Sequence, residues 1–186
     1  MKKLTLKLFT VVSLLAAGTF GASAQSYEQG SSQLNIGLGL GSTLSGAGFS
    51  TTIPPIGISY EYGLKEKISV GGYLGYAGSS NTVTYPSGDW KWNYNYIIIG
   101  ARGSYHFATS DKLDPYAGVL LGYNAASVSV TKPAGYTGPD ITAASAGGLV
   151  YGFHLGARYY FTDKIGAFGE IGYGIAWLNL GLTMKF

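Results

Sequence analysis

Cysteine is absent from all 186 residues, which excludes disulfide staples, thiolate metal sites and a lipid-modified amino terminus. Charge is scarce as well: Asp, Glu, Lys and Arg together make up 11% of the chain, so a heavily solvated soluble surface is not provided for. There are two histidines, too few and too far apart in the strand order expected below for a metal site. No apolar run approaches the ~20 residues of a membrane-spanning helix. The formal charge of +3 disappears on inspection. Three of the twelve Lys/Arg residues (Lys2, Lys3 and Lys7) lie in the first few residues, leaving nine against nine Asp/Glu. A nucleic-acid partner therefore has no electrostatic support.

What is present begins with an address. A basic start is followed by an apolar run over 8–17 and by Gly21-Ala22-Ser23-Ala24. That order is expected of a secretory signal peptide cleaved after Ala24. The resulting organisation is a leader at 1–24, a short polar periplasmic segment at 25–32 and one β-barrel domain at 33–186.

The chain then alternates with period two. Leu178, Leu180, Leu182, Met184 and Phe186 share one face of the last strand, while Asn179, Gly181, Thr183 and Lys185 take the other. Leu34, Ile36, Leu38 and Leu40 repeat the pattern near the other end, as two strands that zip a barrel shut would. Between them, Ile56, Ile58, Tyr60 and Tyr62 mark strand two, with Pro54-Pro55 expected at its beginning. Further strands are expected at about 68–76, 92–107, 115–126, 149–161 and 165–174. Turns carrying lysine at 64–67, before Leu113 and at 162–164 alternate with Gly/Ser/Thr-rich loops at 42–53, 78–91 and 127–148. Eight strands with short periplasmic turns and longer outer loops describe an all-β, antiparallel up-and-down transmembrane barrel. Charges cluster in turns, and the apolar face is Leu, Ile, Val and Tyr, so that face turns to lipid. Aromatic belts are expected from Tyr105, Phe107, Tyr159, Phe161 and Phe186 at one interface and Trp90, Trp92 and Trp177 at the other.

The motifs G-A-R-G-S-Y-H-F (100–107), P-Y-A-G-V-L-L-G-Y (115–123), G-A-R-Y-Y-F (156–161) and the final L-T-M-K-F carry a resemblance. The chain resembles the small eight-stranded outer-membrane barrels of the OmpX and OmpA-barrel kind, in the outer membrane protein β-barrel domain group. The resemblance implies a monomer in contact with outer-membrane lipid and lipopolysaccharide. It also implies that the barrel assembly machinery reads the terminal strand during insertion. A peptidoglycan-binding domain is not expected, nor is any cofactor. The extracellular partner is not specified by these motifs.

Strand parity points Glu61, Arg102, Arg158 and Glu170 into the barrel, where charges need partners. An interior ion-pair network is expected, with Arg158 opposite Phe168 and diagonal to Glu170. Inward glycines are expected to leave volume for Tyr73, Tyr116 and Phe168. Ser104 and His106 share a face, but a hydrolase also needs an orienting third group. Their place beside the periplasmic turn, facing away from lipid, argues against catalysis. Strand four holds a conflict, since one parity sets Ile97 and Ile99 outward but also Asn93 and Asn95. Either a bulge near Tyr96 switches the face, or the strand has left the hydrocarbon by Asn95. In the second case Trp92, Tyr94 and Tyr96 line an extracellular aromatic rim. The leading expectation is a non-enzymatic structural or surface-interaction protein acting through its outer loops. Its alternatives are a narrow channel for small solutes and a lipid-modifying enzyme.

Overall fold

The computed structural model describes residues 26–107 and 110–186. The expected leader at 1–24 lies outside the described residues. Eight strands follow in order: β1 (Ser32–Ser42), β2 (Ser50–Lys65), β3 (Ile68–Tyr85), β4 (Gly88–His106), β5 (Leu113–Thr131), β6 (Ala146–Tyr160), β7 (Ile165–Tyr173) and β8 (Ala176–Lys185). Each pairs antiparallel with its neighbours in sequence, and β1 pairs with β8 to close the barrel. Closure gives every strand two neighbours in the wall, the condition for strands to cross lipid. Among the described residues no helix is long and apolar enough to span a membrane.

Closure follows the leucine pattern. Leu34, Ile36, Leu38 and Leu40 stand opposite Met184, Leu182, Leu180 and Leu178 respectively. Ile36, Leu38, Leu40, Leu180 and Leu182 are all exposed on the outer wall, whereas Asn35 and Thr183 are buried on the inner one. Small residues make the inside narrow enough to fill. A Cβ on Gly37 would lie 2.7 Å from Cζ of Phe168, and one on Gly57 would lie 2.8 Å from the Tyr73 hydroxyl. Bulky interior rings therefore depend on bare backbone across the lumen.

The strands differ from the sequence expectation at their upper ends. The stretch 78–91 is mostly strand, with Ser79 opposite Tyr94 and Tyr85 opposite Gly88. Likewise β5 continues to Thr131 and β2 starts at Ser50. The prolines at 54 and 55 lie within β2 at shifts of register between Thr51 and Ile56, above the last pairing with β1. Polarity in these stretches reflects water on the exposed faces of a projecting sheet. It does not mark a loop. The wall is therefore uneven: β3, β4 and β5 have 18, 19 and 19 residues, against 9 and 10 for β7 and β8. The long strands rise past the barrel rim at the loop end.

Two aromatic belts encircle the outer wall. Tyr105, Phe107, Tyr159, Phe161 and Phe186 are exposed at the turn end. At the loop end the belt comprises Tyr76, Tyr123, Tyr151, Phe153 and Trp177. Trp90 does not join it: the indole is buried inside the projecting sheet, and Trp92 is half-buried on the same inward face. The sheet rises above the belt at that height, so an inward-facing tryptophan meets protein instead of the interface.

Candidate functional site in the closed lumen

The lumen holds a continuous polar lattice built from side chains that strand parity turns inward. Glu61 on β2 and Arg102 on β4 both stand opposite Gly71 of β3. No side chain intervenes there, so Arg102 Nε donates to Glu61 Oε1 across β3 at 2.8 Å. Arg102 also holds Glu170 through both terminal nitrogens, and the Tyr116 hydroxyl donates to Glu170 Oε1 at 2.7 Å. Arg158 donates from Nη1 to Asp114 Oδ2 at 2.8 Å and from Nη2 to Glu61 Oε1 at 3.2 Å. Its Nε donates to Asn35 Oδ1 at 3.2 Å, and its guanidinium lies over the Tyr116 ring at 4.1 Å from the centroid.

Arg158 does stand opposite Phe168. It does not pair with Glu170, because Asp114 is its direct cross-strand neighbour on β5 and Arg102 already occupies Glu170. Asp114 is a lattice member that sequence reasoning missed, and His106, expected to face away from lipid, joins the lattice through it. Asp114 precedes Pro115 after a lysine turn and reads as a turn residue. Only the β5–β6 register brings it to Arg158.

His106 sits at the turn end of the lattice. Its Nδ1 is 2.6 Å from Asp114 Oδ1, and its Nε2 is 3.0 Å from Ser69 Oγ. Ser69 has one proton, and Oγ donates it to Glu61 Oε2 at 2.6 Å. Both His106 ring nitrogens are therefore engaged, Nδ1 by the Asp114 carboxyl group and Nε2 by a hydroxyl already committed to Glu61. The buried cluster brings two guanidinium groups (Arg102, Arg158) and the His106 ring together with three carboxyl groups (Glu61, Glu170, Asp114). The order Asp114–His106–Ser69 has the connectivity of a nucleophilic triad, but the serine proton is committed to a carboxylate. All three side chains are fully enclosed. Ser104, the other candidate, lies 3.0 Å from His154 Nε2.

Residues 26–31 cap this end. The Tyr27 ring stacks on His106 with centroids 3.5 Å apart at 11°, and its hydroxyl donates to the Lys65 carbonyl at 2.7 Å. Ser26 Oγ donates to the Leu113 carbonyl at 2.9 Å, and Gly30 and Gly63 exchange backbone bonds with the strap and β2. Burial, reinforced by Asp114 and Glu61, pushes the Tyr27 phenol up to about 12, so it remains a neutral donor. The sequence shows only one aromatic in a polar lead-in here, which is a weak signal for a cork.

The loop end is closed by apolar contact. Ala77, Tyr96, Ile98, Leu120, Ile175 and Ala176 form a buried cluster, with Leu44, Tyr73 and Tyr94 packed on it. Between plug and lattice, two cavities of about 30 and 10 Å³ touch Tyr73, Arg102 and Glu170, room for a water or two. Strand four keeps its parity throughout: β4 pairs with β3 and β5 with no shift of register, so there is no bulge near Tyr96. Asn95 accepts from the Tyr76 hydroxyl at 3.1 Å, and Asn93 donates to Thr131 Oγ1 at 3.1 Å. Tyr96 is part of the plug, Tyr94 stacks above it, and Phe49 packs edge-on to Tyr94. The three residues Trp92, Tyr94 and Tyr96 thus climb from the plug into the projecting sheet. Among the described residues no cluster of His, Asp and Glu could hold a metal ion.

This is a membrane-spanning β-barrel with a filled lumen. The sequence matches the family described as "Outer membrane protein beta-barrel domain" over residues 12–183, and the chain belongs to that family. It is an outer-membrane β-barrel protein of bacteria. Similar solved structures include OprG from Pseudomonas aeruginosa, with a TM-score of 0.60 at 11% identity, covering 86% of this chain and 97% of that one. Ail, the attachment invasion locus protein of Yersinia pestis, has a TM-score of 0.51 at 12% identity, covering 85% of this chain and 99% of the other. At such identities the likeness concerns the fold. Among curated proteins none matches the sequence significantly.

Proposed function

We propose that the protein is a structural and surface-interaction component of the outer membrane, presenting its projecting sheet and loops to the exterior. The observation that supports this reading is the triple closure of the lumen, by the Tyr27 strap, the ion-pair lattice and the apolar plug. A solute would have to break all three. The short connections at 66–67 and 161–164 are assigned to the periplasm, and the sheet and the loops at 43–49 and 132–145 to the outside. Export with removal of residues 1–24 accompanies this placement. The lipid-facing Leu178, Leu180, Leu182, Met184 and Phe186 form the strand that the barrel assembly machinery reads. Closure of all eight strands within one chain supports a monomer in contact with lipid and lipopolysaccharide. Committed and enclosed, Ser69 and His106 serve the lattice and not catalysis.

Planar-bilayer recording tests the reading. The wild-type protein and a Tyr27→Ala variant are both expected to stay electrically silent, because the plug survives loss of the cork. Steady unitary conductance from the wild type would favour the narrow channel instead.

A further inference from the structure

One cavity of about 410 Å³ lies outside the lumen, between the top of β5 and the loop at 132–145. That is within the usual size of small-molecule sites and equals the volume of about fourteen waters. Trp90 walls one side. Its Nε1 donates to Ser87 Oγ at 3.2 Å, and Tyr136 packs against it with ring centroids 4.9 Å apart at 74°. The indole is thereby fixed in place. Val128, Val130 and Ile141 supply apolar lining, and Lys132 and Asp140 stand at the rim. Lys132 Nζ donates to Asp140 Oδ1 at 2.7 Å, and both side chains reach water.

We infer that this cavity is a binding site for a neutral saccharide unit, naming a ligand class for the surface role proposed above and resting on that role. The class follows by elimination and by fit. An anionic ligand would meet Asp140 and a cationic one Lys132, since the rim carries one charge of each sign. A wholly apolar ligand would strip water from both charged groups without replacing its hydrogen bonds. A sugar ring has an apolar C–H face for Val128, Val130 and Ile141. Its neighbouring hydroxyls both donate and accept, so one hydroxyl can donate to Asp140 while the next accepts from Lys132. The adjacent ammonium and carboxylate are spaced for such a pair. The shared chemistry is a hexose, either free in the medium or displayed on lipopolysaccharide.

The test uses the full chain in phosphocholine micelles, which carry no sugar headgroup, with Trp92→Phe and Trp177→Phe leaving Trp90 as the sole indole. Maltose and the polysaccharide released from lipopolysaccharide are titrated separately. A saturable change in Trp90 emission is expected with at least one of them, and the one that binds more tightly identifies the source. Asp140→Asn should weaken it tenfold or more, and Ile141→Trp, read by calorimetry in the wild-type background, should weaken it by crowding the apolar wall of the cavity. No response to either probe, or binding that neither substitution alters, overturns the saccharide assignment. Protease cleavage of the 132–145 loop on intact cells is scored in parallel. Cleavage without sugar binding removes the ligand class alone, whereas a protected loop removes the surface role as well.

Discussion

Glu61→Ala is expected to lower the free energy of unfolding by about 3–5 kcal/mol, the cost of breaking a buried ion pair from one side. Glu61 accepts from Arg102 at 2.8 Å, from Arg158 at 3.2 Å and from Ser69 at 2.6 Å. Its removal takes one carboxylate acceptor from each of the enclosed Arg102 and Arg158 guanidinium groups. The buried Ser69 hydroxyl also loses its acceptor. Glu61→Gln keeps the shape and one acceptor, so its penalty should be smaller. A double substitution, Glu61→Met with Arg102→Met, should cost less than the sum of the two single changes, because neither partner is then stranded. Urea midpoints in lipid vesicles measure all of these variants. A loss below about 1 kcal/mol for Glu61→Ala would mean that the lattice is dispensable to stability.

Leu182→Arg is expected to destabilise by ~2–4 kcal/mol, the penalty for a charge on the lipid face near mid-membrane. Leu182 is exposed on the outer wall, opposite Ile36 on one side and Ala167 on the other. From the sequence alone, Thr183→Lys is the natural comparison, because an inward position escapes lipid. Thr183 is fully enclosed, however, and a lysine there would be judged on crowding. Tyr85→Arg is the better comparison. Tyr85 is exposed at the tip of the β3–β4 hairpin, opposite Gly88, and should cost ~0–1 kcal/mol. Equal urea midpoints for the two arginine variants would contradict the facing and depth of β8.

Much of the wall is legible in the sequence because lipid imposes a strict period of two. Leu34 to Leu40 and Leu178 to Leu182 alternate so regularly that both strands are legible and their pairing is expected, and the register pairs them. The upper parts of β3, β4 and β5 are not legible in that way. In Asn81-Thr82-Val83-Thr84 the apolar contrast fades while the strand continues, and in Ser127-Val128-Ser129-Val130 the alternation persists with exposed serines and half-buried valines, the reverse of a lipid-facing wall. The lattice is half visible for a related reason. Parity shows which way Glu61, Arg102, Arg158 and Glu170 point, but partner choice depends on register across several strands. That register gives Arg158 to Asp114, and the bare Gly71 lets Arg102 reach Glu61. Tyr27 is harder still. Its burial comes from a strap folding back under the barrel, a tertiary event with no periodic signature.

β4 runs unbroken through the barrel wall, and the proposed placement has that strand leaving the hydrocarbon between Ile97 and Asn95. Because the chain has no cysteine, single cysteines carrying spin labels can be placed at Asn93, Asn95, Ile97 and Ile99 without interference. In bilayers, labels at 97 and 99 should relax with oxygen, as lipid-buried positions do. Labels at 93 and 95 should respond to a water-soluble relaxation agent. Oxygen-dominated relaxation at Asn93 and Asn95, or water access at Ile97 and Ile99, would contradict this placement of the barrel in the membrane.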